Sequence, residues 1–140
     1  MARYPQLGES FQTCVQALYR LQPDGSARLE NRGVLPDGRL SAITGSATVP
    51  DPDRPAELRV RFDEGFSGGY SVLATDYSSG ALVHDCTEAG AVTDEHAWIL
   101  SRGPTLDQEL VDEYRRILAE VGSDVTQFSD TPQNCGNIFQ

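Results

Sequence analysis

The sequence predicts an all-β domain: an up-and-down antiparallel meander that closes into a barrel, followed by one α-helix packed outside it. Three observations predict this. Short segments alternate apolar and polar residues with period two. Turn signals separate those segments at hairpin-length intervals. After Pro104 the apolar spacing switches once, to the helical period. The chain has 140 residues, which fits one domain, residues 1–140, with a single core.

The first alternating segment places Val15, Ala17, Tyr19 and Leu21 on one face and Cys14, Gln16, Leu18 and Arg20 on the other. Pro23-Asp24-Gly25 turns the chain, because Pro presets one turn dihedral and Gly accepts the left-handed one. Ala27, Leu29 and Asn31 then oppose Arg28, Glu30 and Arg32, and Pro36-Asp37-Gly38 turns the chain again. Ile43, Gly45, Ala47 and Val49 oppose Thr44, Ser46 and Thr48. Beyond the polar loop 51–55, Leu58, Val60 and Phe62 oppose Glu57, Arg59, Arg61 and Asp63. A glycine-rich turn over 65–69 leads to Tyr70, Val72 and Ala74. Tyr77-Ser78-Ser79-Gly80 turns into a strand over 81–88, and a last strand over 96–101 carries Trp98 and Leu100 on one face. Seven such strands must close on themselves or cover a face, since open ladder edges pair with other chains.

Leu106, Leu110, Tyr114, Ile117, Leu118 and Val121 recur at helical spacing. Thr105 with Gln108 reads as a capping box. Asp107 and Glu109 favour the positive end of the helix dipole, and Gly122 is placed to cap the other end. The apolar stripe must pack on the outside of the sheet. The tail is polar and turn-rich, with a short strand expected at 124–128.

Twenty-one acids against eleven bases give a net charge of −10. A non-specific nucleic-acid binder needs a basic surface, so nucleic acid is excluded as a partner, and an anionic membrane surface is disfavoured on the same ground. Every base is Arg, which removes Schiff-base and P-loop lysine chemistry. No apolar run approaches the ~20 residues of a membrane helix.

The apolar face mixes small residues (Ala17, Ala27, Gly45, Ala47) with aromatics (Tyr19, Phe62, Tyr70, Trp98). That combination suits a flat hydrophobic guest. Asn31 is its odd polar member and is placed to hydrogen-bond a guest's polar end. Alternation alone leaves a ligand cavity and a filled core equally open. Cys14, Cys86 and Cys135 make no CxxC spacing, and an odd count leaves one thiol outside any intrachain pair.

Several blocks, in order, resemble the lipocalin family, closest to its branch of apolipoprotein D, bilin-binding proteins and bacterial lipocalins. Ala2-Arg3-Tyr4-Pro5 resembles the end of the family's first strand, and Cys14-Val15-Gln16-Ala17-Leu18-Tyr19 its second. Leu73-Ala74-Thr75-Asp76-Tyr77 carries the Thr-Asp-Tyr motif, and Ala97-Trp98-Ile99-Leu100-Ser101-Arg102 the third motif with its Arg. The Gly-x-Trp motif is absent. The resemblance therefore implies a lipocalin β-barrel of about eight strands whose first strand is incomplete, as in a shortened form, with Arg102 deprived of its Trp partner.

The resemblance also implies a function: carriage of a small hydrophobic ligand, such as a fatty acid, retinoid, steroid, bilin or carotenoid, inside the calyx. It places Trp98 against the ligand, with Tyr19, Asn31, Phe62 and Leu100 carried over from matching strand positions. It implies a Cys14–Cys135 disulfide and a secreted parent protein, and it leaves Cys86 without the upstream cysteine its counterpart pairs with. A fatty-acid carboxylate would turn to Arg32 or Arg39, or to water. No cofactor is expected. His84 and Cys86 share a strand face, but His96 is the only other His, too few for a structural metal site. Without Gly-x-Ser-x-Gly or a placed acid–base pair, a carrier is expected rather than a lipocalin-type enzyme acting on a lipid. Phe66 is the one hint of membrane contact. An incomplete edge allows a monomer or a homodimer, and a ligand-free module that self-associates is the remaining alternative.

Overall fold

After a two-residue strand β1 (Ala2–Arg3), seven long strands form where the alternation places them: β2 (Thr13–Leu21), β3 (Ala27–Val34), β4 (Leu40–Thr48), β5 (Glu57–Phe62), β6 (Ser67–Thr75), β7 (Gly80–Ala89) and β8 (Val92–Ser101). Helix α1 (Gln108–Glu120), a 3-10 turn (Val125–Gln127) and a short β9 (Ser129–Asp130) complete the chain. The structure is a computed structural model that describes residues 2–3, 12–65, 67–89 and 92–135. Phe66, the expected membrane contact, lies outside them.

The two Pro-Asp-Gly tripeptides act as predicted. Gly25 and Gly38 take φ of +88° and +86°, a region closed to most side chains. In each turn the Asp carboxylate accepts a backbone N–H two residues on, Ser26 at 2.9 Å and Arg39 at 3.0 Å. The turn between β6 and β7 is held differently. Asp76 Oδ1 accepts the N–H groups of Ser78, Ser79 and Gly80 at 3.1, 2.8 and 3.0 Å, and Asp76 Oδ2 accepts the Ser79 hydroxyl. Those bonds, the Ser79 hydroxyl foremost, hold the Asp76 carboxyl well below the usual range. Tyr77 can then sit at φ +61° between them.

All strand pairs are antiparallel, in the order β2-β3-β4-β5-β6-β7-β8-β1-β9. The seven long strands curl into a half-barrel whose two ends, β2 and β9, are not hydrogen-bonded to each other in a ladder. Being a meander, it puts the turns after β2, β4, β6 and β8 at one end and those after β3, β5 and β7 at the other.

Helix α1 covers the outer face of β6–β8. Leu82, Ala97 and Ile99 from the sheet, Tyr114 and Leu118 from α1 and Phe128 from the tail form one buried cluster. The Tyr114 hydroxyl donates to Gly80 O at 3.2 Å, tying the helix to the Asp76 turn. Arg115 lies over the Phe128 ring, 5.3 Å from its centroid. The helix begins later than the capping box suggests. Asp107, not Thr105, is the cap, accepting Glu109 N–H at 3.0 Å, while Gln108 reaches forward to Asp112. Thr105 O instead accepts the Ser101 hydroxyl. Gly122 (φ +93°) closes the helix as expected, with Gly122 N–H on Ala119 O and Ser123 N–H on Leu118 O.

The strand expected at 124–128 is a 3-10 turn. Asp124 accepts both the N–H and the hydroxyl of Thr126, an N-cap that a strand would not permit. The strand lies one step later, as β9 on β1. The regular alternation of β2 also breaks at its start: a bulge between Thr13 and Gln16 leaves both Cys14 and Val15 buried. Cys14 is covered by the tail and bonded to Cys135, as the resemblance implies.

On the outer face of β3–β5, Asp63 receives both terminal nitrogens of Arg28 and the Thr44 hydroxyl at 2.7 Å. These donors lower the Asp63 carboxyl to about 2. Its unfolded value is about 3.9. The stabilisation is therefore present above pH ~4 and is lost as pH falls toward 2. Urea-denaturation midpoints should drop over that window, and Asp63→Asn should flatten the drop while lowering the neutral-pH midpoint. Leu118 is fully buried, so Leu118→Ala should cost about 2–5 kcal/mol in the same measurement.

Candidate functional site

The inner face of β2–β5 is built in rows that follow the ladder. Ala17 stands opposite Asn31, and Asn31 opposite Ile43. The next row runs Tyr19, Leu29, Gly45, Phe62, and the one after it Leu21, Ala27, Ala47, Val60. Gly45 is required in its row: a Cβ there would come within 2.6 Å of Arg61 O. Leu29, Ala47 and Val60 are buried and pack with Ala27, Leu58, Phe62 and Tyr70. Part of the predicted interior is therefore filled by its own side chains.

Tyr19 and Tyr70 make the defining contact. Their hydroxyls are 2.9 Å apart and their rings meet edge to face, with centroids 6.3 Å apart. They sit on β2 and β6, which are four places apart in the sheet. The contact therefore crosses the hollow instead of following the ladder. Burial, with Tyr19 beside it, pushes the Tyr70 phenol well above its ordinary range.

The facing wall belongs to β7 and β8. Trp98 is half-buried, stands opposite Val83, and stacks on His96 at 5.9 Å with ring planes 25° apart. Leu100, two residues on, shares its face and stands opposite Ala81. Because α1 covers the other face of these strands, Trp98 and Leu100 point into the half-barrel.

Between the edge of β2 and the ends of β7 and β8 lies a groove of about 920 Å³, with Ala17, Tyr19, Tyr77, Leu100, Arg102 and Gln133 in its walls. The five expected ligand residues thus divide. Tyr19 and Leu100 meet at this groove, Phe62 and Asn31 lie on the β2–β5 wall, and Trp98 lies on the β8 wall. Tyr70 was visible in the alternation as an aromatic, but its pairing with Tyr19 was not. Gln133 gave no signal at all, because its place depends on where the tail crosses the fold.

The arginines proposed for a carboxylate are otherwise engaged. Arg32 Nε lies 2.6 Å from Glu30, and Arg39 Nε lies 2.6 Å from Asp37. His84 lies on the outer face, its Nε2 3.0 Å from Glu95 Oε2, which also accepts the Ser123 hydroxyl at 3.0 Å. Cys86 is exposed on the same strand, opposite Glu95. Among the described residues no group of three His, Cys, Asp or Glu is arranged to hold a metal ion.

Residues 1–133 match the family model of the lipocalin-like domain. Apolipoprotein D of Cavia porcellus is 38% identical over 129 residues, covering 90% of this chain and 68% of that protein. The outer membrane lipoprotein Blc of Escherichia coli K12 is 36% identical over 116 residues, covering 81% and 62%. The chain thus spans about two thirds of the length of these relatives. Among solved structures, apocrustacyanin C1 superposes with a TM-score of 0.84 at 23% identity, covering 96% of this chain and 74% of that one. Insecticyanin from the tobacco hornworm Manduca sexta gives 0.79 at 24%, covering 94% and 75%. Curled meander, outer helix, motif residues and family match agree: the chain belongs to the lipocalin family.

Proposed function

We propose that this protein binds and carries a small hydrophobic molecule, with Trp98 and Leu100 on one wall of the site and Tyr19, Asn31 and Phe62 on the other. The observation that carries this reading is the set of aromatic side chains on the inner face of a curled sheet, with α1 on the outer face of β6–β8. An aromatic-lined concavity holds a flat apolar guest by burial. At about 25 cal/mol per Å², a guest burying a few hundred Å² of apolar surface gains several kcal/mol before the costs of association.

The Tyr19–Tyr70 pair sets a chemical preference. An apolar guest that separates the two phenols leaves the half-buried Tyr70 hydroxyl without that bond, at a cost of up to about 1–3 kcal/mol. A guest with a hydroxyl or carbonyl at that depth replaces the lost bond. A retinoid alcohol, a keto-steroid, a bilin or a hydroxylated carotenoid satisfies this, and a plain hydrocarbon does not.

The working role in this reading is carriage: the inward face is mainly apolar and aromatic, with Tyr19, Tyr70, Asn31 and the Asp85–His96 pair across the β7–β8 ladder as its polar groups. Its working compartment is an oxidising one, outside the cytosol, where a disulfide such as Cys14–Cys135 persists.

Trp98 is the only tryptophan, so its fluorescence reports from one place. Titration with retinol, a bilin and a fatty acid should give saturable quenching or energy transfer. Trp98→Ala, followed by the fluorescence of retinol itself, should weaken binding about ten- to a hundredfold, the worth of one buried aromatic contact of about 1.5–3 kcal/mol. A flat titration with Trp98 shielded from iodide would mean that side chains fill the interior. Tyr70→Phe should remove the highest-pH component of tyrosinate absorbance at alkaline pH. It should also weaken retinol more than a hydrocarbon analogue of the same size.

A further inference from the structure

The wall that carries Trp98 also carries an ionisable pair. The β7–β8 ladder is unbroken, so its faces alternate without a slip. Val83 stands opposite Trp98, and the next pair on that face, toward the turn after β7, is Asp85 opposite His96. His96 is stacked on Trp98. Asp85 stands on the diagonal from Trp98, a separation of about 7–8 Å between neighbouring strands. The Asp85 side chain is half-buried. Its carboxylate lies beside Gly69 of β6, where a Cβ would come within 2.4 Å of Oδ1. The bare backbone of that glycine leaves the carboxylate its place.

Among the described residues the Asp85 carboxylate accepts no hydrogen bond and makes no ion pair. A half-buried carboxylate has given up part of its water, and without a donor that cost stands. The strand arginines are elsewhere. Arg20, Arg28, Arg32, Arg59 and Arg61 stand on the outer face of β2–β5. Arg3, opposite Trp98 in the ladder, is on β1, on the far side of β8 from Asp85.

We infer that Asp85 holds the polar end of the guest, and that the guest is an apolar molecule bearing a protonated amine. This rests on the reading of the half-barrel as a ligand site and narrows it. Leu100, Trp98 and His96 follow one another along one face of β8. At about 3.4 Å per residue they span about 13–14 Å, so an apolar body lying along Leu100 and Trp98 brings its head to Asp85. A hydroxyl head supplies a donor but leaves the charge of the carboxylate uncompensated. An ammonium head supplies both, in a charge-assisted hydrogen bond. The Trp98 ring adds to this, because a cation is drawn to the negative face of an indole. A carboxylate head meets repulsion at Asp85, and Arg32 and Arg39 are already paired with Glu30 and Asp37.

The test uses three probes that share one polyene body and differ in the head: retinol, retinoic acid and retinylamine. Each is titrated into the full chain and followed by energy transfer from Trp98, with far-UV circular dichroism on every variant. Retinylamine should bind at least about tenfold tighter than retinol, the worth of one charge-assisted bond, and retinoic acid more weakly than retinol. Asp85→Asn should remove most of the gap between amine and alcohol. That variant matters because a chain of net charge −10 attracts any amine. An amine preference that survives Asp85→Asn in protein with an intact sheet signal therefore overturns the inference. If Asp85→Asn loses the sheet signal, Gly69→Ala decides: its Cβ displaces the carboxylate, and an undiminished amine preference there overturns the inference. Retinylamine no tighter than retinol, or retinoic acid tightest of the three, overturns it directly and leaves the carrier reading standing. If none of the three binds, the carrier reading fails and this inference falls with it.

Discussion

A sheet curled part-way round has two edges, and each edge is a row of backbone donors and acceptors that must find partners. The rest of this structure follows from how those edges are handled. On the β8 side, two-residue β1 takes over the ladder and β9 takes it over from β1. On the β2 side, the first residues are taken by the tail, through Pro132, Gln133 and the disulfide. Among the described residues, a groove runs between Gln16–Tyr19 and the ends of β7 and β8.

Alternation made most of the fold legible because side-chain period and strand pairing are the same geometric fact. Leu58, Val60 and Phe62 declared both a strand and its inner face, and the ladder confirms each. The helical stripe declared α1, and Tyr114 and Leu118 became its buried residues. What failed was local polar chemistry. Thr105 and Asp107 both suit an N-cap, and it is the Asp107 carboxylate that accepts the Glu109 N–H, while the Thr105 carbonyl accepts the Ser101 hydroxyl. Asp124 drew its own turn from a segment whose apolar content read as strand.

The candidate site was legible by wall but not across the hollow. Trp98 and Leu100 on β8, and Tyr19, Asn31 and Phe62 on β2–β5, could be assigned to faces from sequence. The phenol pair Tyr19–Tyr70 could not, because it joins strands four places apart and depends on how tightly the sheet curls. The outward row on β2–β5 was equally opaque in its consequences. Arg28 was visibly on the polar face, but its capture by Asp63 needs the β5 turn to bring a residue 35 positions away alongside it. Long-range pairs of this kind carry no periodic signal.

The two walls of the half-barrel are not equally stable, and this bears on how a guest would enter. The β6–β8 wall is backed by α1 and by the buried cluster of Leu82, Ala97, Ile99, Tyr114, Leu118 and Phe128. The β2–β5 wall has the cluster of Leu29, Ala47 and Val60 on its inner face and, among the described residues, no helix behind it, and its end residues Tyr19 and Leu21 are 45% and 81% exposed. Local opening follows the density of buried apolar contact. The β2 edge is therefore the side that yields first. A disulfide spanning 121 residues contributes about 4–5 kcal/mol by restricting the unfolded chain, and here it is fastened to the weaker wall. The same bond that compensates the global cost of a thin wall also fixes the local opening of that wall. Global stability and the local hold on that wall run through one covalent link, so a change at Cys14 or Cys135 acts on both together.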